Sequence, residues 1–447
     1  MTDLFIAPHA QPLKGTENLA YATWKFMRNP LEGFGPLSYR QGITSVKHLG
    51  TQMHIVTAPE GMNDILVKHT AKFTKSPIDA RILGPATKEG LLSVHGKQWK
   101  MQRRAVAPIF RARHMADLSP LVHTVVDGFK SRLGAGRDVE LNGAMADLTF
   151  DILAKALLGD PKGLDRDRLK KATRRVVTSA GTLRPDDLIP WPRGTPRPIG
   201  PRGYAALRRL KSAADHLINS RQSDAGDDLV GLLIGAQDPK TGQRLSRREQ
   251  RDNLIGFFIA GHETTALTLT WALYLMAMDK GAQTRVRAEA RAVGIDKISF
   301  ETLDQLPFTR AVIDETMRLF PPAPIINREC HEACEVLGRA INPGDILLLC
   351  PYIMHRRDAL WENALAFDPD RFIRNPDLRS KAAPFMPFGA GPRVCVGASF
   401  ALMESVMGLA SLMAEYDITV ADDCFPRPLM TVTLRPEGGI KARLNRV

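Results

Sequence analysis

A loop of ten residues, FGAGPRVCVG at positions 388–397, constrains this chain more than any other feature, because it places a cysteine beside a helix start. Gly391 lets the backbone turn and Pro392 fixes one dihedral angle, so Cys395 lies just before a helical run that begins at Ala398. Unpaired backbone N–H groups at a helix N-terminus lower the pKa of a thiol. We therefore expect Cys395 to be a thiolate, the form of cysteine that binds a metal.

Three more residues of this loop suit a flat ligand that carries carboxylates. Gly397 lets such a ligand approach the backbone, Arg393 offers planar donors to a carboxylate, and Phe388 covers the sulfur from water. All five fixed positions of the pattern F-x-x-G-x-R-x-C-x-G are present, and the chain thereby resembles the cytochrome P-450 family of haem-thiolate monooxygenases, soluble bacterial type. The resemblance implies haem b (iron protoporphyrin IX) with Cys395 as the axial iron ligand.

Composition indicates a large enzyme with a single folding unit. The chain has 447 residues, of which 44% are hydrophobic, and composition does not break at either end. The motifs are scattered but must converge on one cofactor, which predicts one haem domain over 1–447, with 1–40 as an N-terminal extension and no fused reductase. The five cysteines form an odd set without a signal-peptide pattern, so we expect a reduced, cytoplasmic protein. The first thirty residues contain no apolar stretch long enough to predict a membrane span.

The net charge of +13 raises the question of a nucleic-acid partner. Lys and Arg are spread along the chain without an aromatic-basic module, which argues against that partner. A basic face for an acidic protein fits better, since charge steers such encounters. The resemblance implies that electrons come from a separate ferredoxin and an NAD(P)H-dependent ferredoxin reductase.

Hydrophobic periodicity predicts a mainly α-helical chain with a small β region, the fold that the resemblance also implies. Helical spacing is clear over 118–133, 141–158 and 204–221. Strands are expected at 52–56, 334–338, 346–350 and 431–434. The sequence Asn-Pro-Gly-Asp at 342–345 suits a type II turn, so we expect the second and third of these strands to form a hairpin.

A long apolar helix is predicted over 253–278, and it carries the sequence AGHETT at 260–265. Five residues at spacings of three and four share one face of this helix, and the small ones leave room for a flat ligand. They are Phe257, Ala260, Gly261, Thr264 and Thr268. The Thr264 hydroxyl can reach the Ala260 carbonyl, which would bend the helix and open a groove. By itself this pattern could merely ease helix packing. The resemblance implies that the helix covers the distal haem face, with Thr264 and Glu263 managing proton delivery.

Glu315 and Arg318 lie three residues apart on a predicted helix, a spacing that is common on solvated faces. Further along, the segment FDPDRF at 367–372 resembles a family segment with Asp370 in place of Glu. The resemblance implies that Glu315, Arg318 and Arg371 form a structural lock that serves folding and cofactor retention.

Trp99 and Arg103 lie one helical turn apart, so their N–H groups can point the same way as donors. The resemblance implies that both bind haem propionates, together with Arg328 and Arg393. The alternatives are a packed indole at Trp99 and a solvent arginine at Arg328. The remaining cysteines are expected to be inert thiols, since no second ligand pair completes a zinc site; they are Cys330, Cys334, Cys350 and Cys424.

The function implied by the resemblance is insertion of one oxygen atom of O2 into a lipophilic small molecule such as a fatty acid or terpenoid. The expected substrate walls are mostly apolar and comprise 76–92, 185–201, Phe257, Ala260 and the run 323–326 with Ala323 and Ile325. Peroxide-driven enzymes, isomerases and dehydratases of the same family are rivals, as is a haem sensor or carrier. The acid and alcohol at Glu263 and Thr264 favour monooxygenation over all of these. No residue type names the substrate.

Overall fold

The computed structural model describes residues 4–48, 50–134, 136–159, 165–181, 184–188, 191, 195, 197–221, 228–380 and 384–447. α-Helices dominate these residues. They are α1 Leu19–Arg28, α2 Pro36–Arg40, α3 Pro59–Asn63, α4 Pro77–Thr87, α5 Gly96–Val106, α6 Ala112–Leu133, α7 Leu141–Leu158, α8 Arg166–Gly181, α9 Gly200–Ser220, α10 Leu229–Gly235, α11 Arg247–Met278, α12 Lys280–Val293, α13 Pro307–Leu319, α14 Pro351–Met354, α15 Arg371–Arg374 and α16 Ala398–Glu415. Within the described ranges no helix is both long and apolar enough to cross a membrane.

Helix α11 runs through the core and spans about 48 Å at 1.5 Å per residue. Its first turn is fixed by a capping box, in which the side chains of Ser246 and Glu249 each accept a hydrogen bond from the other's backbone N–H. Helices α7, α9, α13 and α16 pack against it. Its second half is buried almost throughout, and Trp271 stacks on Phe320 with ring centroids 3.8 Å apart. The predicted helices 118–133, 141–158, 204–221 and 253–278 are confirmed as parts of α6, α7, α9 and α11, although α9 ends at Ser220, one residue before the predicted end.

The strands are short and lie in small sheets. They are β1 Ile43–His48, β2 Thr51–Val56, β3 Phe73–Thr74, β4 Arg137–Glu140, β5 Ile326–Cys330, β6 Cys334–Val336, β7 Arg339–Ile341, β8 Ile346–Leu349, β9 Tyr416–Thr419, β10 Pro428–Met430, β11 Leu434–Pro436 and β12 Lys441–Arg446. The largest sheet has the order β1-β2-β8-β5-β3, with β2 and β8 parallel and the other neighbours antiparallel. A second sheet has the order β4-β12-β9, and β6-β7 and β10-β11 are two-stranded.

One predicted strand and one predicted strand pairing are wrong. The strands predicted at 52–56, 334–338 and 346–350 are confirmed as β2, β6 and β8. The turn at 342–345 forms, and the Asp345 N–H donates to the Asn342 carbonyl at 3.0 Å. However, β8 pairs with β5 and β2, whereas β6 pairs with β7, so the predicted hairpin does not form. The segment 431–434 is mainly the turn between β10 and β11, because those two short strands pair on either side of it.

The predicted lock residues meet at the end of α13. The Arg318 guanidinium is fully buried and donates to both carboxylate oxygens of Glu315 at 2.7 Å. Arg371 donates to the same carboxylate at 3.1 Å. The remaining Arg318 donors bind backbone carbonyls at 2.7, 2.7 and 2.9 Å, those of His355, Ala364 and Ala366. This network therefore joins α13 to the segment that precedes α15.

His355 extends this network toward the cysteine loop. Its Nδ1 lies 3.2 Å from the Arg318 carbonyl oxygen, and its Nε2 accepts a hydrogen bond from the Met386 N–H at 3.1 Å. Burial, reinforced by Arg318 and Arg356, lowers the pKa of His355 to about 3. The neutral ring can then donate through one nitrogen and accept through the other. Sequence reasoning gave His355 no role because its partners are distant in the chain.

We expect Glu315→Gln to lower the free energy of unfolding by about 3 kcal/mol or more, because it leaves a buried guanidinium without its counter-charge. The matched control is Asp370→Asn, which removes another bidentate Arg–carboxylate pair, with Arg285, at 2.7 and 2.8 Å but half exposed. This control should cost less than about 1 kcal/mol. Urea denaturation measures both changes, and equal losses in the two variants would contradict the structural-lock role.

Candidate active site

The cysteine loop is held in one conformation by its own backbone and by a neighbouring turn. The Cys395 N–H donates to the Phe388 carbonyl at 3.0 Å. Gly391 has a φ of 69°, and a Cβ atom at this position would overlap the carbonyl oxygen of Leu66. A side chain is therefore excluded at Gly391 by both conformation and space. The loop leads into α16 at Ala398, as the sequence predicted.

A cavity of about 440 Å³ lies between this loop, α11, the N-terminal half of α4, α5 and β5. It brings together most of the residues predicted for the site. Those lining it are Trp99, Arg103, Phe257, Ala260, Thr264, Ala323, Ile325, Arg328, Phe388, Arg393 and Cys395. The exposed surface of Cys395 faces this cavity. Of the predicted substrate walls, parts of 76–92 and 323–326 contribute, whereas 185–201 lies partly outside the described residues and its described part does not.

Three predicted site residues do not line the cavity among the described residues. A Cβ atom on Gly261 would lie 3.0 Å from the Leu153 side chain, so this glycine permits close packing of α11 on α7. The prediction that Gly261 makes room for a ligand is therefore wrong. Gly397 acts through its backbone, because its N–H lies close enough to Cys395 to lower the pKa of that thiol. The third residue, Glu263, is turned toward another part of the chain.

The Glu263 carboxylate lies beside the C-terminal hairpin. Its Oε1 accepts a hydrogen bond from the Thr433 hydroxyl at 2.8 Å and forms an ion pair with Arg435. Both partners come from the region of β11, which packs against α11. Sequence reasoning placed Glu263 beside Thr264, but neighbours in a helix point about 100° apart, so the acid and the alcohol face different surroundings.

The threonines of α11 keep their hydroxyls against the helix backbone. Thr264 donates to the Ala260 carbonyl at 2.8 Å, the contact that the sequence predicted. Thr268 donates in the same way to the Thr264 carbonyl at 3.0 Å. The helix itself continues without a break through this region. Thr264 therefore presents a hydroxyl at the cavity wall that can exchange its carbonyl partner for another acceptor.

A group of cations surrounds one end of the cavity, and we call Lys75, Arg328 and Arg393 the cation cluster. Burial and Arg328 lower the pKa of Arg393 to about 10. Burial lowers the pKa of Lys75 to about 8, although Asp79 opposes this, while Arg393 and Arg328 add to it. The Arg393 guanidinium stacks over the Trp99 ring at 4.3 Å. Such desolvated positive charges favour an anionic ligand. No sequence motif predicted that Lys75 would lie in this site.

The sequence predicted a lowered pKa for the Cys395 thiol, but burial raises it. The Gly397 N–H and the Arg103 guanidinium act in the opposite direction, but the loss of bulk water outweighs them. The helix dipole therefore does not by itself make the thiolate. A cation or metal at the sulfur would supply the missing stabilisation.

Glu404 on α16 is a buried acid that sequence reasoning missed. Neither carboxyl oxygen has a hydrogen-bond partner among the described residues. Thr265 lies next to it, but its hydroxyl donates to the Gly261 carbonyl at 3.2 Å. Burial raises the pKa of Glu404 well above its usual value, so folding favours the protonated form of this acid. The sequence feature that could have indicated a buried acid is the position of Glu404 inside an apolar stretch of α16.

Comparison with known proteins finds similarity along nearly the whole chain. The family model described as "Cytochrome P450" matches residues 38–442. The chain is 31% identical over 415 residues to "Cytokinin hydroxylase" from Arabidopsis thaliana, covering 88% of this chain and 78% of that protein. It is 28% identical over 427 residues to "Cyclooctat-9-en-7-ol 5-monooxygenase" from Streptomyces melanosporofaciens, covering 92% of this chain and 88% of that protein.

Among solved structures, the cytochrome P450DA heme domain matches with a TM-score of 0.82 at 23% sequence identity. The match covers 99% of this chain and 98% of that structure. This similarity confirms the fold that the sequence predicted.

Glu404 makes the stability of the protein depend on pH. Because its pKa is raised in the folded state, the free energy of unfolding should fall as pH rises from about 4.5, the value in the unfolded chain, through the folded pKa. The slope in this window is about 1.4 kcal/mol per pH unit for one group. Glu404→Gln should remove this part of the slope in urea unfolding at several pH values, whereas the exposed control Glu301→Gln should not. Parallel profiles for wild type and Glu404→Gln would contradict the assignment.

Proposed function

This chain belongs to the cytochrome P450 family, a family of haem-thiolate oxidoreductases, and we propose that its cavity holds haem b with Cys395 as the axial ligand. We propose further that it inserts one atom of O2 into a lipophilic substrate. The observation that carries this proposal is the position of Cys395, which faces a cavity that also contains Thr264 of α11 and the cation cluster. The whole chain would act as one haem domain.

The residues around the cavity fit haem at both its metal and its carboxylates. Two propionates would neutralise the cation cluster, with Trp99 and Arg103 as further donors. When bound, a haem-thiolate group supplies the reductive activation of dioxygen. Phe388 would shield the sulfur from water, and the Gly397 N–H would stabilise its negative charge.

Proton delivery is assigned to Thr264 and Glu263 in unequal roles. The Thr264 Oγ1 lies at the cavity wall, where it would hold a proton for the oxygen chemistry by turning from the Ala260 carbonyl. Glu263 would act from outside the wall. Its Oε1 is held by Thr433 and Arg435, so it must release one of these partners before it can exchange a proton toward the cavity.

The substrate is proposed to be lipophilic because most of the residues that line the cavity are apolar. Phe257, Ala260, Ala323 and Ile325 form part of this wall, and Phe257 is braced edge-on by Phe110. One relative is named for its action on cyclooctat-9-en-7-ol, a molecule with a hydrocarbon skeleton. A terpenoid-like substrate therefore suits this chain.

Electrons are proposed to come from a ferredoxin and its NAD(P)H-dependent reductase in the cytoplasm. The net charge of +13 favours association with a small acidic carrier. This association should weaken as salt screens the charges.

Cys395→Ser should abolish the thiolate-type absorption of the carbon monoxide complex, because a serine hydroxyl does not supply a thiolate to the iron. The matched control is Cys424→Ser, which replaces a partly buried cysteine that lies outside the cavity lining. Absorption spectra of the reduced proteins under carbon monoxide make the comparison. An unchanged spectrum in Cys395→Ser would refute the assignment of the ligand.

Thr264→Ala should keep the haem but lower the product formed per NADPH by roughly tenfold, with the missing electrons recovered as peroxide. Thr270→Ala is the control, since Thr270 makes the same hydroxyl-to-carbonyl bond in α11, to Ala266 at 2.8 Å, but does not line the cavity. Product and peroxide are quantified with farnesol as the test substrate, a surrogate ferredoxin and its reductase.

The same assay separates an enzyme from the rival functions. Product that carries an atom of labelled O2 and requires NADPH would support monooxygenation. Binding without electron-dependent product would indicate a sensor or carrier, and product from peroxide alone in equal yield would indicate a peroxide-driven enzyme. Wild-type coupling in Thr264→Ala would contradict the proton-relay role.

A further inference from the structure

One carboxylate in the cavity is not used by the proposed oxygen chemistry. Asp79 lies in the first turn of α4, where its N–H donates to the capping side chain of Ser76 at 3.3 Å. Its side chain lines the same cavity as Cys395. Its Oδ1 accepts a hydrogen bond from the Asn327 amide of β5 at 3.0 Å. Two separate elements therefore fix this carboxyl group at the cavity wall.

The second carboxyl oxygen of Asp79, Oδ2, is free to accept a hydrogen bond from a ligand. No described residue donates a hydrogen bond to Oδ2, whereas both oxygens of the other carboxylate on the wall, Asp252, have a donor. The oxygens of Asp252 accept from the Glu89 N–H at 2.9 Å and from the Arg251 side chain at 3.1 Å. The Asp79 carboxyl group is withdrawn from bulk water, and this burial raises its pKa. A desolvated carboxyl group gains most from one more hydrogen bond.

The neighbouring cations do not donate a hydrogen bond to the Oδ2 atom of Asp79. Lys75 donates to the Leu92 carbonyl, and Arg328 donates to the Asn327 carbonyl at 2.8 Å. Both affect Asp79 only through their charges, which act to lower the pKa of its carboxyl group. In the proposed function the cation cluster is occupied by the propionates of the haem, so Asp79 stays available to a second ligand in the same cavity.

We propose that Asp79, positioned by Asn327, binds the hydroxyl group of the substrate, so that the protein selects lipophilic alcohols over ethers and carboxylates of the same skeleton. This inference rests on the proposed function, because the hydroxyl anchor orients the remainder of the skeleton toward the oxygen chemistry. A carboxylate ligand has no O–H to donate to the Oδ2 atom of Asp79, which disfavours fatty acids. The substrate would then be the product of a reaction that has already introduced a hydroxyl group.

The test uses farnesol, farnesyl methyl ether and farnesoic acid as probes. The methyl ether retains the acceptor oxygen of the alcohol but lacks the O–H donor. Affinities come from the spin-state shift of the ferric haem and, independently of the haem spectrum, from calorimetry. Wild type should bind farnesol roughly tenfold or more tightly than the ether, because a polar site discriminates against an analogue that leaves it unpaired.

Asp79→Asn should collapse this preference, because its amide can still accept from Asn327 but can donate equally to an alcohol or an ether. Comparing the two affinity ratios cancels the effect of the extra methyl group. Asp252→Asn is the matched control and should keep the wild-type preference. The carbon monoxide spectrum of each variant establishes that the haem site is intact.

Several results would overturn the inference. They are equal affinity for farnesol and its ether in wild type, a preference that persists in Asp79→Asn, or binding of none of the probes. Tighter binding of farnesoic acid that is lost in Lys75→Met would replace it with a carboxylate site. If the carbon monoxide complex of wild type lacks the thiolate signature, the proposed haem ligation fails, while calorimetry still decides whether Asp79 binds the hydroxyl group.

Discussion

The buried contact between Arg318 and Glu315 is the interaction on which the geometry of the cavity depends. Arg318 uses its donors on one carboxylate and three backbone carbonyls, so α13 and the following segment are joined at one point. His355 carries this connection to Met386, two residues before the cysteine loop begins. Because each member satisfies a buried polar group of another, the network stabilises the fold only when it is complete.

Helix α11 is held from two sides, and this determines which of its residues reach the cavity. Gly261 brings it close to Leu153 of α7, while Glu263 ties it to Arg435 near the C-terminus. The side that remains for the cavity carries Ala260 and Thr264. The sequence motif thus contains three kinds of residue with different physical tasks: one packs helices, one forms an ion pair, and one places a hydroxyl at the cavity wall.

Local patterns predicted the helices and the cysteine loop, because burial of one helical face repeats with each turn and the loop needs particular residues in order. The predicted helix 141–158 has the same bounds as α7. The hairpin prediction is wrong because β8 pairs with β2 and β5 instead of β6, and no local sequence pattern indicates this pairing. Lys75 and Glu404 were not predicted as buried charged residues for a related reason, since their burial arises from packing between distant elements.

The cavity wall concentrates groups that are unfavourable for the protein alone. Arg393 and Lys75 repel each other, Asp79 is desolvated with one donor, and the pKa of the Cys395 thiol is raised. Each group would be paired by a different part of the proposed ligands: the carboxylates, the hydroxyl and the metal. Ligands that relieve such costs stabilise the folded state by the free energy of their binding. On the proposed function, the stability lost at this wall would be the source of its selectivity, because a ligand that leaves any of these groups unpaired recovers less of it.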